Sequence, residues 1–147
     1  MAHTDPRALV EAFLNAASNH DTAVLDDLLH PDYEERYPQS GERTRGAANL
    51  KSIIEHYPGG YTDQGQGRVV GVQDRWVVTP LFTLLRIEGT GNVFTGVQKA
   101  RYGDGSEWFL VSILEVRDDR IWRAQTFFAP TFEPPAWRAQ WVDVVTE

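Results

Sequence analysis

The sequence contains no cysteine, and that absence removes a disulfide scaffold, a thiol nucleophile and a cysteine-zinc site together. It also lacks any apolar run near the roughly 20 residues that cross a bilayer as a helix. Basic residues are few and scattered: 14 lysines and arginines stand against 21 acidic residues, for a net charge of −7. Such a surface repels a nucleic-acid backbone, so nucleic acid is not expected as a partner. The four histidines, His3, His20, His30 and His56, fall at a terminus, a turn and two helix ends, without HxH or HExxH spacing. Neither a metal nor any other cofactor is expected. The stretch Gln39–Gly46 carries glycines and arginines ahead of a helix but lacks the phosphate-loop pattern. It reads instead as a loop that Glu42, Arg43 and Arg45 fix by ion pairs. Met1 to Pro6 is polar and has neither the basic nor the apolar region of a signal peptide, so a soluble, cytoplasmic protein is expected.

What is present is apolar and aromatic. Hydrophobic residues make up 41% of the 147 residues and aromatics 12%, enough for a core without cross-links. No compositional break divides the chain, so residues 1–147 read as one domain, with a C-terminal extension from about residue 130.

Asp5 followed by Pro6 is a helix start, and Leu9, Val10, Phe13, Leu14 and Ala17 then form one apolar stripe. Asp21 is expected to cap a second short helix carrying Val24, Leu25, Leu28 and Leu29, which His30-Pro31 ends. Tyr33–Tyr37 reads as a strand between prolines. A third helix runs from about Ala47 to Tyr57 and stops at Pro58-Gly59-Gly60. After Gly67 the period changes to two, giving strands over Val69–Gln73, Trp76–Glu88, Val93–Tyr102, Trp108–Arg117 and Arg120–Phe128. Helices followed by an antiparallel meander give an α+β domain.

If Asp118-Asp119 is a two-residue turn, Arg117 pairs with Arg120 and the register extends backward unchanged. One face of the hairpin then carries Leu110, Ser112, Leu114 and Val116 against Ile121, Arg123, Gln125 and Phe127. The opposite face carries Phe109, Val111, Ile113 and Glu115 against Trp122, Ala124, Thr126 and Phe128. Both faces are largely apolar, so both are expected to be covered, the outer one by the C-terminal segment or by a second subunit. Trp137 and Trp141 stand four apart after Pro134-Pro135, on a short C-terminal helix that packs, forms an interface or covers the pocket.

The order of elements, with the strings Leu29-His30-Pro31-Asp32-Tyr33, Pro38 to Gly46, Val111 to Ile121 and Phe127 to Val142, resembles the SnoaL-like branch of the nuclear transport factor 2-like superfamily. The resemblance implies a cone: three N-terminal helices packed on a strongly curved, mostly antiparallel six-stranded sheet around a pocket. It further implies a small apolar organic ligand and a homodimer through the outer sheet face. Members include isomerases, polyketide cyclases, epoxide hydrolases and non-catalytic binding proteins, so the fold does not choose among them.

Residues carried over from that family mostly depart from its acids. The ketosteroid isomerase base directly precedes a proline eight residues before the glycine opening helix three. Pro38 and Gly46 keep that spacing, but the residue before Pro38 is Tyr37. The family's tyrosine donor falls on Phe13, its protonated aspartate on Ser112, and an aspartate ending the last strand on Ala129. The strand parity that turns Tyr37 inward also turns in Tyr33 and Glu35. Glu35 is therefore the candidate general base, with Tyr37 as donor to a developing oxyanion. The alternative is a Glu35 at the rim, solvated or paired with Arg123 or another basic residue. Candidate ligand-binding residues are Phe13, Tyr33, Trp108, Ser112, Gln125 and Phe127. Two functions follow: a cofactor-free acid–base enzyme of isomerase, cyclase or hydratase type on a hydrophobic metabolite, or a binding or dimerisation module without catalysis.

Overall fold

The first helix begins where its capping chemistry directs. The Asp5 carboxylate accepts the Arg7 backbone N–H at 3.0 Å, and α1 runs Pro6–Ser18 with proline in its first turn. Its stripe of Leu9, Val10, Phe13 and Leu14 is buried in the core. The computed structural model describes residues 5–56, 82–102 and 105–145. A 3-10 turn at Thr22–Val24 leads into the single-turn helix α2, Leu25–Leu28. Asp21 takes the cap position of that turn without a side-chain capping bond, and Leu29 already belongs to a strand.

The helices do not all precede the sheet. Strands β1 (Leu29–Tyr37) and β2 (Glu42–Arg45) come before α3 (Gly46–Glu55). The stretch read as a loop thus contains an edge strand, which pairs antiparallel with β1 and sets Thr44 opposite Glu35. Gly46, at φ 78°, makes the turn from β2 into α3 without a Cβ penalty. Strands β3 (Phe82–Thr90), β4 (Val93–Arg101), β5 (Glu107–Arg117) and β6 (Arg120–Pro130) follow, then a 3-10 helix at Ala136–Trp141. The sheet order is β2-β1-β6-β5-β4-β3, and among the described strands only the β1–β6 pair is parallel. The result is an α+β domain on one mixed six-stranded sheet. Helix α1 packs on β3 and α3 on β1, enclosing a core that includes Leu25, Tyr33, Leu114 and Ile121. The expected strand Val69–Gln73, the start of the strand expected from Trp76, and Tyr57 lie outside the described residues.

The last hairpin corrects the expected register. Asp118 and Asp119 have φ of 52° and 57°, both positive as a primed turn requires, and Arg117 pairs with Arg120. Val116 pairs with Ile121, but Glu115 then pairs with Arg123, so Trp122 is an extra residue in a β-bulge. The Arg117 and Arg123 guanidiniums stack on the two sides of this register break, 4.7 and 4.0 Å from the Trp122 ring centroid. Beyond the bulge every β6 residue changes face. Ala124 and Thr126 are buried on the inner side, whereas Arg123 and Gln125 are exposed on the outer side.

That exchange makes the outer face more polar than its sequence suggested. Val111 and Phe127 are half-buried there and Ile113 is exposed. The C-terminal 3-10 helix is not among the elements packed on the sheet, and Trp137 and Trp141 are 73% and 70% exposed.

Candidate functional site

Strand β1 turns Tyr33, Glu35 and Tyr37 to the inner face, as period-two alternation requires. Glu35 and Tyr37 reach a cavity of about 120 Å³ between the sheet and helices α1 and α3. Helix residues Phe13, Leu14, Leu50 and Ile54 supply its apolar side. The sheet supplies Gln98, Leu110, Ser112, Thr126 and Phe128. Its described lining contains no lysine, arginine or histidine.

Glu35 is 8% exposed, and among the described residues it pairs with no cation. Arg123, its expected partner, instead lies 4.0 Å from Glu34 on the outer face, beside Arg36 and Arg43. The carboxyl is held by hydroxyls. Tyr37 Oη donates to Oε1 at 2.8 Å and Thr126 Oγ1 donates to Oε2 at 2.6 Å. Because the Thr126 hydrogen points at Glu35, Ser112 Oγ, 2.9 Å away, donates to Thr126. On the other side Thr44 Oγ1 donates to Tyr37 Oη at 3.3 Å. Two relays of hydroxyls therefore converge on one carboxyl group.

Burial raises the Glu35 pKa above its ordinary value, and the Thr126 and Tyr37 hydrogen bonds pull partly against it. Burial and the nearby Glu35 charge likewise raise Tyr37, which stays a proton donor. Tyr33 is raised for the same reasons, burial first. Its ring packs 6.2 Å from Phe13, and its buried hydroxyl interacts with Glu35 electrostatically without an acceptor in hydrogen-bond geometry among the described residues.

The structure brings together Glu35, Tyr37, Phe13 and Ser112 of the expected site residues. It does not bring in four others. Tyr33 lies in the core behind the cavity wall. Gln125 and Phe127 face outward because of the bulge, so Ser112 pairs with Thr126 rather than with Gln125. Trp108 ends the inner row away from the cavity, donating from Nε1 to Ser106 Oγ and packing edge-on against Tyr102. His56, at the end of α3, is exposed and bonds the Ser52 carbonyl.

Sequence reasoning missed Thr126, Thr44, Ser18 and Gln98. Thr126 was hidden by the bulge. Gln98 had a visible signal, the inward row Phe94, Gly96, Gln98 and Ala100 with one polar member. Gln98 Nε2 donates to Ser18 Oγ at 2.7 Å, and both side chains are buried in the cavity wall. Among the described residues no cluster of three or more metal-ligating side chains occurs, and no helix is long and apolar enough to cross a membrane.

A mixed sheet with helices enclosing an apolar pocket places the molecule in the nuclear transport factor 2-like class of folds. The chain belongs to the SnoaL-like domain family, whose match spans residues 10–124. It is similar to an NTF-2 like protein of unknown function from Burkholderia xenovorans, at 30% identity over 96% of this chain and 95% of that one, with a TM-score of 0.71. A putative ketosteroid isomerase from Kribbella flavida shares 23% identity over 97% and 90% of the two chains, with a TM-score of 0.73. An LEH-like epoxide hydrolase from M. tuberculosis shares 23% over 85% and 83%, with a TM-score of 0.57. These last two likenesses establish the fold alone. A search of curated proteins returned no match.

Proposed function

We propose that this protein acts in the cytoplasm, where it binds a small, uncharged, mostly apolar ring compound and performs cofactor-free acid–base chemistry on it, with Glu35 as general base. The observation that carries this reading is a buried carboxyl group without a cationic partner among the described residues, in a cavity wall, oriented by two hydroxyl donors. Such a group costs stability, and burial, by raising its pKa, makes its ionised form a stronger base than a free glutamate. As Glu35 takes a proton from carbon beside a carbonyl, its charge disappears and its pull on the Tyr37 hydroxyl weakens. Tyr37 then turns its hydrogen to the developing enolate oxygen. Volume limits the substrate: an apolar cavity of about 150 Å³ holds one benzene, so a cavity of about 120 Å³ suits a single ring. A fused polyketide would extend through the mouth.

The rival reading, ligand binding without turnover, draws on the fact that both Glu35 oxygens are already hydrogen-bonded. Deuterium exchange at the α-carbon of cyclohexanone and cyclohexenone in D2O separates the two. The enzyme reading expects exchange above the buffer rate that Glu35→Gln abolishes while binding persists. Binding with no exchange above buffer supports the module, and exchange unaffected by Glu35→Gln sinks Glu35 as the base.

For assembly, the half-buried Val111 and Phe127 and the exposed Trp137 and Trp141 support a homodimer through the outer sheet face.

A further inference from the structure

Apart from the Glu35 cluster, the apolar cavity wall carries a second polar feature. Ser18, the last residue of α1, and Gln98 of β4 are 7% and 6% exposed and line the same cavity. Their one mutual hydrogen bond does not exhaust either group. A carboxamide offers two donors and an acceptor oxygen, and a hydroxyl both donates and accepts. Among the described residues neither side chain makes another hydrogen bond. Were the pair only a piece of core, two apolar side chains would fill the space more favourably, because burying half-satisfied polar groups costs free energy. Whichever way the carboxamide is turned, one of its two ends is engaged with Ser18 and the other has no partner among the described residues.

The ladder fixes where this feature lies relative to Glu35. Gly96 of β4 is directly opposite Ser112 of β5, the outer link of the Thr126–Glu35 relay. Gln98 is two residues along the same face, a diagonal neighbour about 7–8 Å away. Gly96 presents no side chain, and Leu14 of α1 packs over it, its Cδ1 2.5 Å from where a Cβ would stand. The two polar groups therefore line one small cavity beside Leu14, at separate places on its wall.

We infer that the ligand carries two oxygen functions on one ring, and that Gln98 with Ser18 receives the oxygen remote from the atom presented to Glu35. This rests on the proposed reading of the cavity as a site for a small ring compound. The remote group is neutral, a carbonyl or hydroxyl, since the described lining offers no cation for a carboxylate and already holds Glu35. Gln98 is thus a specificity-determining residue: it ranks ring compounds by whether they bear the second oxygen. The carboxamide accommodates a carbonyl through its N–H and a hydroxyl through its oxygen.

The test compares cyclohexane-1,4-dione with cyclohexanone, binding being followed by amide chemical shifts of the full chain. One added neutral hydrogen bond is worth about 0.5–1.5 kcal/mol, which predicts a preference of roughly 2- to 10-fold for the dione. Gln98→Met, near in shape and lacking hydrogen-bonding ends, is expected to abolish that preference while keeping cyclohexanone affinity. Gln98→Leu is the second variant should methionine disturb folding. Glu35→Gln should keep the preference. If wild type binds both ketones and Gln98→Met and Gln98→Leu leave the ratio unchanged, the cavity reading stands and this inference fails. If folded wild type binds neither ketone, the cavity reading itself falls and takes this inference with it.

Discussion

Burying an ionised carboxyl group costs several kcal/mol even after relaxation, and two neutral hydroxyl donors return only part of it. Glu35 is in that position, with its pKa raised by burial above the ordinary 4.5. Between about pH 4.5 and the higher folded-state value, the folded chain therefore holds a proton that the unfolded chain has released. Stability from this group is fully present below about pH 4.5 and is lost as pH rises through the folded-state value. Glutamine fits the same bonds: its oxygen accepts from Tyr37, its N–H donates to Thr126, and the Thr126 hydrogen turns to Ser112. Glu35→Gln should thus melt higher than wild type near neutral pH, with a gap that shrinks toward pH 4. Thermal melts from pH 4 to 8 measure this, and a variant less stable than wild type at pH 8 would contradict it. Tyr33 makes the complementary case. Its buried hydroxyl finds no acceptor among the described residues, a penalty of about 1–3 kcal/mol. Tyr33→Phe should leave stability unchanged or raise it within that range in urea unfolding at pH 4, where Glu35 is mostly protonated in both states. It should also raise the Glu35 pKa, because the Tyr33 O–H favours the anion. A loss above about 1 kcal/mol would mean the hydroxyl is bonded after all.

The elements show what a sequence discloses and what it withholds. The cap at Asp5, the stripe through Phe13 and Leu14, and the inward parity of Tyr33, Glu35 and Tyr37 were legible because each is local chemistry or a simple period. So was the turn at Asp118-Asp119. The bulge at Trp122 was not, because its partners, Arg117 and Arg123, stack laterally on the ring and leave no mark on alternation. One unseen residue was enough to replace Gln125 and Phe127 by Thr126 and Phe128 at the site. The β1–β2 hairpin was missed for another reason: Glu42–Arg45 is charged and short, as edge strands often are. Between α1 and β4 the packing yields a prediction of its own. A Cβ on Gly96 would stand 2.5 Å from Leu14 Cδ1, a side-chain tip that lines the cavity. Gly96→Ala should turn Leu14 into the cavity, costing about 1–3 kcal/mol as overpacking does, and weaken ring binding. Unfolding in urea and ketone titrations check both halves. Unchanged cyclohexanone affinity would show that Leu14 can yield elsewhere.

For the whole molecule the unresolved balance is between charge and apolar surface. A net charge of −7 keeps copies apart, yet Phe132, Trp137, Trp141, Val144 and Val145 stand exposed along one C-terminal segment. The chain's own sheet does not take them up, although its outer face leaves Ile113 exposed and Val111 and Phe127 half-covered. Indole and phenyl surface of this extent is rarely left to water on a monomer. The outer face also bears Arg36, Arg43 and Arg123 around Glu34, with Glu115 opposite Arg123 in the ladder, so three cations there face two carboxylates on an acidic protein. The C-terminal segment carries Glu133 and Asp143 against Arg138, so it is acidic as well as apolar. Both kinds of complementarity favour the segment of one copy lying on the outer face of another. Light scattering should accordingly report twice the 16.6 kDa chain mass for the full protein. Truncation after Pro135 should return a folded monomer, because Glu35, Thr126 and the buried core all precede the cut. Raised salt should shift the full chain toward monomer, since the charged contacts are solvent-facing and screened beyond about 8 Å at physiological ionic strength. A full-length monomer at micromolar concentration and low salt would overturn the dimer, and a dimeric truncated chain would move the interface off the C-terminal segment and onto the sheet alone.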